Sequence, residues 1–301
     1  SESETLACKL CIPNPDHRIK KNCYINCRKK MNDASPRRND LNSELGASTW
    51  LTTLPLKEEG YCLNKQQFWD LIRLRYGWEL TRTPENCECG AQFNLQHALS
   101  CMKGGFISIR HNRIRDITAN LLKEVCKDVR LEPRLQPLTG EEFSQATTNT
   151  SDEARCDVSA RGFWTTSQVA FFDIRVFNPT ATRYVNQSPA KSYEVNEKEK
   201  KRSYSRRTLQ VEHGSFTPIV LSATGGMGRE SKKFFSRLSE MISEKRKQPY
   251  AMASSWIRRK LSFALIKCIG VYIRRSRTDS DSYLVDFIQH DVKSSEFVCK
   301  I

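Results

Sequence analysis

The sequence predicts a mixed α/β fold whose main elements run helix, strands, helix, strand. Three observations carry that expectation: an amphipathic stretch over residues 107–127, two β-rich runs over 155–159 and 169–177, and a charged stretch over 196–207 without Gly or Pro. In the first stretch Ile114, Ile117, Leu121, Leu122 and Val125 share one stripe, leaving Arg110, Arg113, Lys123 and Lys127 for the other side, which is a helical pattern. The two runs are rich in β-formers, are joined by a turn containing Gly162 and end at Asn178-Pro179, so they read as a hairpin. The charged stretch reads as a helix lying over the sheet, and Ile219-Val220-Leu221 after it as a further buried strand. Upstream, Asn64 can cap a short helix holding Phe68, Leu71, Ile72 and Leu74, ended near Gly77. Downstream, residues 232–245 around Phe235, Leu238 and Ile242, and residues 252–273 around Trp256, Leu261, Leu265 and Tyr272, read as two more helices.

The chain of 301 residues is long enough for one large or two small domains. Five segments are expected: a polar, basic and weakly ordered lead-in over 1–46, a short helical connector over 47–86, a cysteine knuckle over 87–106, an α/β core over 107–228, and a basic helical extension over 229–301. Residues 139–153 read as a polar loop. The first residue is Ser1, so a piece of a longer polypeptide with an upstream activity is expected. Lys and Arg outnumber Asp and Glu by 49 to 34, and the net charge of +15 suits a polyanionic partner, nucleic acid before lipid. No membrane segment is expected, because Ser262, Lys267 and Gly270 interrupt the longest apolar stretch, 261–273.

Of the 12 cysteines, several fall at metal-ligand spacing, and a core of this size needs no disulfide staples, so reduced thiols are expected. Cys87, Cys89, His97 and Cys101 offer three thiolates and one imidazole, the set that closes a tetrahedral zinc site, with Gly90 allowing the tight turn. Four protein ligands leave no position for water, so such a zinc is structural. Buried free thiols with a core histidine are the alternative. Cys8, Cys11, Cys23 and Cys27, with His17 as a substitute, form a second and weaker set.

Asp157 and Asp173 lie in the two β-rich runs, and an acid after three apolar residues is costly unless a cation or a hydrogen-bond network receives it. In a hairpin both carboxylates can share one edge and chelate Mg²⁺ or Mn²⁺ through hard oxygens; salt bridges to Arg155, Arg161 and Arg175 are the alternative. Arg175, Lys198, Lys200, Lys201 and Tyr204 stand near enough to serve phosphate, or to form a solvated helix face. Gly225-Gly226-Met227-Gly228 can cradle a phosphate or make a plain turn, and Glu212-His213 can add a ligand or a base, or be structural.

The succession of a Cys-Cys-His-Cys knuckle, the run Arg110 to Asp116, two strand aspartates and Lys201-x-x-Tyr204 resembles the restriction-like endonuclease region of non-LTR retrotransposons and proteins derived from reverse-transcriptase elements. Gly46-Ala-Ser-Thr-Trp-Leu, Leu74-Arg-Tyr-Gly-Trp, the segment 170–179 and the segment 211–218 extend the likeness over about residues 46–277. The resemblance implies a PD-(D/E)xK-type αβββαβ core, with a zinc knuckle before it and helices after it. Asp157 and Asp173 take the two acidic positions in that comparison. Cys156 stands where the motif has Pro and Arg175 where it has Lys, and the family's displaced lysine maps to Lys200 or Lys201 on the next helix. It further implies Mg²⁺- or Mn²⁺-dependent cleavage of DNA and a linked upstream reverse transcriptase. Partners would be DNA and the RNA of the parent element, in an intracellular, nuclear setting. Arg110, Arg113, Lys198 and Tyr204 would contact nucleic acid. A dead nuclease fold that only binds nucleic acid is the other expectation.

Overall fold

The computed structural model describes residues 36–136 and 155–274, apart from 82, 84, 88, 102, 104 and 105. Four short helices come first: α1 (Pro36–Ser43), α2 (Thr49–Thr52), α3 (Lys65–Tyr76) and α4 (Leu95–Ala98). They are followed by α5 (Phe106–Val125), β1 (Lys127–Leu131), β2 (Val158–Arg161), β3 (Val169–Phe177), α6 (Pro189–Gln210), β4 (Ser215–Ser222), α7 (Arg229–Arg246) and α8 (Tyr250–Arg274). The strands form one mixed sheet in the order β1-β2-β3-β4, antiparallel except for the parallel pair β3 and β4. A parallel neighbour requires a crossover, and α6 supplies it.

β3 is buried on both faces, which explains its almost unbroken apolar sequence. Ala170, Phe172, Ile174 and Val176 enter the main core with Ile114, Leu121 and Leu122 of α5, Phe234, Leu238 and Ile242 of α7, and Ile257, Leu261 and Leu265 of α8. Three aromatic rings lock its centre, Phe163 lying 5.2 Å from Phe172 and 4.8 Å from Phe234. The alternate residues turn to α6: Phe171 clusters with Tyr204, and Phe177 with Tyr184 and Tyr193. Asp173 and Arg175 share that second face by the same alternation.

A second core joins Trp50, Leu71, Ile72, Leu99 and Phe106 to Phe263, Ile266, Ile269 and Ile273. At 25 residues α8 is long enough to serve both cores, its first half in the main core against α5 and α7 and its second on the N-terminal helices. The helices expected as an extension after residue 228 therefore share the core with the sheet. Among the described residues no helix is long and apolar enough to cross a membrane.

α3 is capped as its sequence suggests, by a reciprocal Asn64–Gln67 box at one end and left-handed Gly77 (φ 71°) at the other. Other expectations shift. Residues 36–46, read as lead-in, carry α1: Leu41 is buried, Arg37 donates to the Pro179 carbonyl at 2.8 Å, and Glu44 accepts from Tyr193 Oη at 2.9 Å. The rest of that lead-in, with Cys8, Cys11, His17, Cys23 and Cys27, and the loop 139–153 lie outside the described residues. β1 takes Lys127, read as the end of a helix; on this edge strand only Val129 is partly buried, and Asp128 (φ 49°) breaks the register. β2 starts at Val158, while Arg155 forms only an isolated bridge to Arg134. α6 begins seven residues before 196, where Ser188 accepts from the Lys191 amide and Pro189 opens the first turn.

Candidate functional site

Residues 85–93 fold back on themselves: Asn86 bridges Gln92, the Cys87 amide donates to Ala91 O at 2.8 Å, and Gly90 turns the chain at φ 85°. α4 then carries His97, whose amide donates to Asn94 Oδ1 at 2.8 Å. The donor atoms of Cys87, Cys89, His97 and Cys101 consequently lie within 4.8 Å of one another. Cys87 Sγ is 3.7 Å from Cys101 Sγ, and Cys89 Sγ is 3.0 Å from His97 Nε2. With zinc–sulfur bonds of about 2.3 Å, a tetrahedron has sulfur–sulfur edges of about 3.8 Å, whereas a disulfide needs about 2.05 Å. The group can hold a metal ion such as zinc. A hydrogen bond from the Ala91 backbone, aided by the neighbouring thiols and His97, brings the Cys89 thiol down to about 7, toward the thiolate a metal requires. Leu99 and Cys101 are buried, and Asn178 Nδ2 donates to Ser100 Oγ at 3.0 Å, so the knuckle is tied to the end of β3.

The two aspartates meet where β2 begins. The Asp157 amide donates to the Phe172 carbonyl at 3.1 Å and its Oδ2 accepts from the Ile174 amide at 2.5 Å, so Asp157 brackets residue 173. Asp157 Oδ1 is 2.9 Å from His111 Nε2 on α5. From α6, Lys200 Nζ comes within 2.7 Å of Asp173 Oδ2, and that buried oxygen makes no well-formed hydrogen bond, the ammonium lying off the favourable line. One turn on, the Tyr204 ring lies 5.6 Å from Lys200 Nζ. α5, β2, β3 and α6 thus deliver His111, Asp157, Asp173 and Lys200 to one place.

Burial, and next the charge of Asp157, push the Asp173 carboxyl up to about 6 even though Lys200 and His111 oppose the shift. At His111 burial favours the neutral ring, yet Asp157 and Asp173 outweigh it and the pKa stands above its ordinary value. Burial and the two aspartates raise Cys156 and Tyr204 as well, which keeps both neutral under the site. Although His111 touches Asp157, the ligand atoms of His111, Asp157 and Asp173 do not draw together into one metal-holding group; among the described residues only the knuckle forms such a group.

Several expected contacts with nucleic acid find other partners. Arg110 is buried, donates to the Val176 carbonyl at 3.2 Å and lies 5.8 Å from the Tyr272 ring, so it cannot reach a phosphate. Tyr204 is buried with Phe171, Leu135 and Cys156, and touches the site only from below. Arg175 pairs with Glu199 at 3.0 Å, Lys198 with Glu194 at 2.6 Å, and Lys201 with Glu230 at 3.0 Å. Arg113 is half-buried beside α8. Gly225-Gly226-Met227-Gly228 is a turn: the Gly226 amide donates to Ser222 Oγ and the Gly228 amide to Val220 O, both at 2.9 Å, leaving neither for a phosphate. Glu212 accepts from the Gln136 amide at 2.7 Å and His213 sits in the turn before β4 at φ 50°, structural roles for both.

His111 is the member that the sequence reading left without a role. Its signal was its place in the run Arg110 to Asp116, but only the packed sheet reveals which acid it meets. No protein-family model matches the chain, and no curated protein matches it.

Proposed function

We propose that this chain is a metal-dependent DNA endonuclease of the restriction-like class, with Asp157, Asp173 and Lys200 at its centre. The observation that carries the reading is the 2.7 Å approach of Lys200 to Asp173, beside an Asp157 bound to the backbone on either side. The order α5, β1, β2, β3, α6, β4 supports it, since it follows the αβββαβ pattern that the resemblance implies. Asp157 and Asp173 would hold a divalent cation such as Mg²⁺ or Mn²⁺, and the fit rests on hard carboxylate oxygens, one of them buried without a good hydrogen bond. Such a cation polarises a phosphoryl oxygen and lowers the pKa of bound water. Lys200 stabilises the negative charge that grows on the phosphate, and His111 fixes the orientation of Asp157. The zinc held by the knuckle has a structural role.

A second reading has its own support: His111 and Lys200 already balance the two aspartates, and among the described residues neither aspartate belongs to a close group of three metal-ligating side chains. That arrangement also fits a zinc-containing nucleic-acid binder without catalysis. Plasmid nicking in Mg²⁺ separates the two. The native chain is expected to nick; Asp173→Asn and Lys200→Met are each expected to lower the rate by about 100-fold or more. Lys201→Met, which removes only the pair with Glu230, is expected to nick as the native chain does. Equal rates for native and Asp173→Asn leave only the binding protein.

A further inference from the structure

Two arginines beside the aspartate cluster meet on a single carboxylate oxygen. Arg175 Nη1, from β3, lies 3.0 Å from Glu199 Oε2, and Arg183 Nη2, from the short turn Thr182–Tyr184, donates to that same atom at 3.4 Å. Both guanidinium groups hang from fixed backbone. Arg175 stands between buried residues of the central strand, and Tyr184, next to Arg183, is buried with Phe177 and Tyr193 while its hydroxyl donates to Asn196 at 3.0 Å. Glu199 is different: its side chain is 42 % exposed and reaches over from α6 on a rotatable stem. The trio borders the centre described above. Arg175 follows Asp173 on the same face of β3, about 6–7 Å along the strand, and Glu199 directly precedes Lys200 on α6.

The guanidinium fork fits carboxylate and phosphate oxygens alike, so an acid held by two arginines occupies the place a phosphate would take. Ion pairs between half-exposed side chains contribute little to stability, and a phosphate with its further acceptor oxygens displaces the carboxylate at small cost. We propose that Arg175 and Arg183 form a subsite for a backbone phosphate of nucleic acid beside the one served by Asp173 and Lys200, with Glu199 as a resident stand-in that the nucleic acid displaces. One strand of a duplex advances about 3.4 Å of axis per phosphate, so Asp173 and Arg175 stand about two phosphates apart. The subsite rests on the nucleic-acid part of the reading above and not on its chemistry. Glu199 also lowers affinity for every sequence equally, because it competes with phosphate and reads no base.

The test is fluorescence anisotropy of a labelled 20-base-pair duplex over a salt series, with the whole chain and no added divalent ions. Arg175→Gln/Arg183→Gln is expected to weaken binding on the order of tenfold at 0.1 M salt and to reduce the slope of log K against log salt by about two. Glu199→Gln frees both arginines and is expected to bind about threefold tighter or more, a gain that lost folding cannot produce. In the triple variant Glu199→Gln/Arg175→Gln/Arg183→Gln that gain is expected to vanish, which separates release of the arginines from a general change in net charge. A Glu199→Gln gain that is absent, or equally large with and without the arginines, overturns the proposal. So does a native chain that binds no duplex, or a coupling seen with phosphatidylserine vesicles and not with the duplex. A chain that never nicks but shows the coupling upholds this subsite and sinks only the nuclease chemistry.

Discussion

Asp173 bears a penalty that pH can expose. Its carboxyl is raised from 3.8 to about 6 in the folded chain, so the unfolded chain ionises first as pH increases. Stability from this group therefore falls between about pH 4 and pH 6 and levels off above. His111, raised as well, acts in the same direction: the native state holds its proton longer, and that stability is lost as pH rises through the folded value. Asp173→Asn removes the first penalty. At pH 8 and without divalent ions it is expected to melt at or above the native temperature, as measured by circular dichroism; a lower melting temperature would make the Lys200 pair a structural contact rather than a strained one. Residue by residue, the sequence was readable where spacing alone sets geometry. Cys87, Cys89, His97 and Cys101 lie within fifteen positions, and a tight turn brings them together. It was silent where packing decides: Lys200 and Lys201 are neighbours, but 100° around α6 separates a contact with Asp173 from one with Glu230. Arg110 was misread because its carbonyl partner on β3 and the Tyr272 ring are distant in sequence.

At the scale of elements, the knuckle and α5 form one unit. Leu99 and Phe106 enter the second core together, and Tyr272 Oη donates to the Phe106 carbonyl at the start of α5. Losing a metal at the knuckle should thus loosen more than its own turn. Cys101→Ser is expected to carry one equivalent of zinc fewer than the native chain by elemental mass spectrometry and to melt about 5 °C lower or more. Equal zinc contents would show that these four side chains hold none. Long elements with a clear stripe, α5 and α7, were legible in the sequence because burial follows the helical period, whereas α8, buried on all sides over residues 261–266, was legible from its long apolar run. α6 showed its charge but not its start, since polar Ser192 and Asn196 are buried there, Asn196 accepting from Tyr184 Oη at 3.0 Å. β1 gave no alternation to read, its outer residues being solvent-exposed.

For the molecule as a whole, the main succession of α5, β2, β3, α6, β4, α7 and α8 could be read from the chain, but β1 and the convergence the fold produces could not. His111 and Asp157 are 46 residues apart and Asp157 and Asp173 sixteen, so only the closed sheet brings them together. α8 spans both cores and packs against α5, the helix that brings His111 to Asp157. The most direct test of that convergence is anomalous diffraction from crystals of this chain grown with Mn²⁺. A peak about 2.0–2.6 Å from a carboxylate oxygen of both Asp157 and Asp173 is the expected result. A peak touching one of them alone, or no peak while the aspartates remain ordered, contradicts a shared catalytic ion.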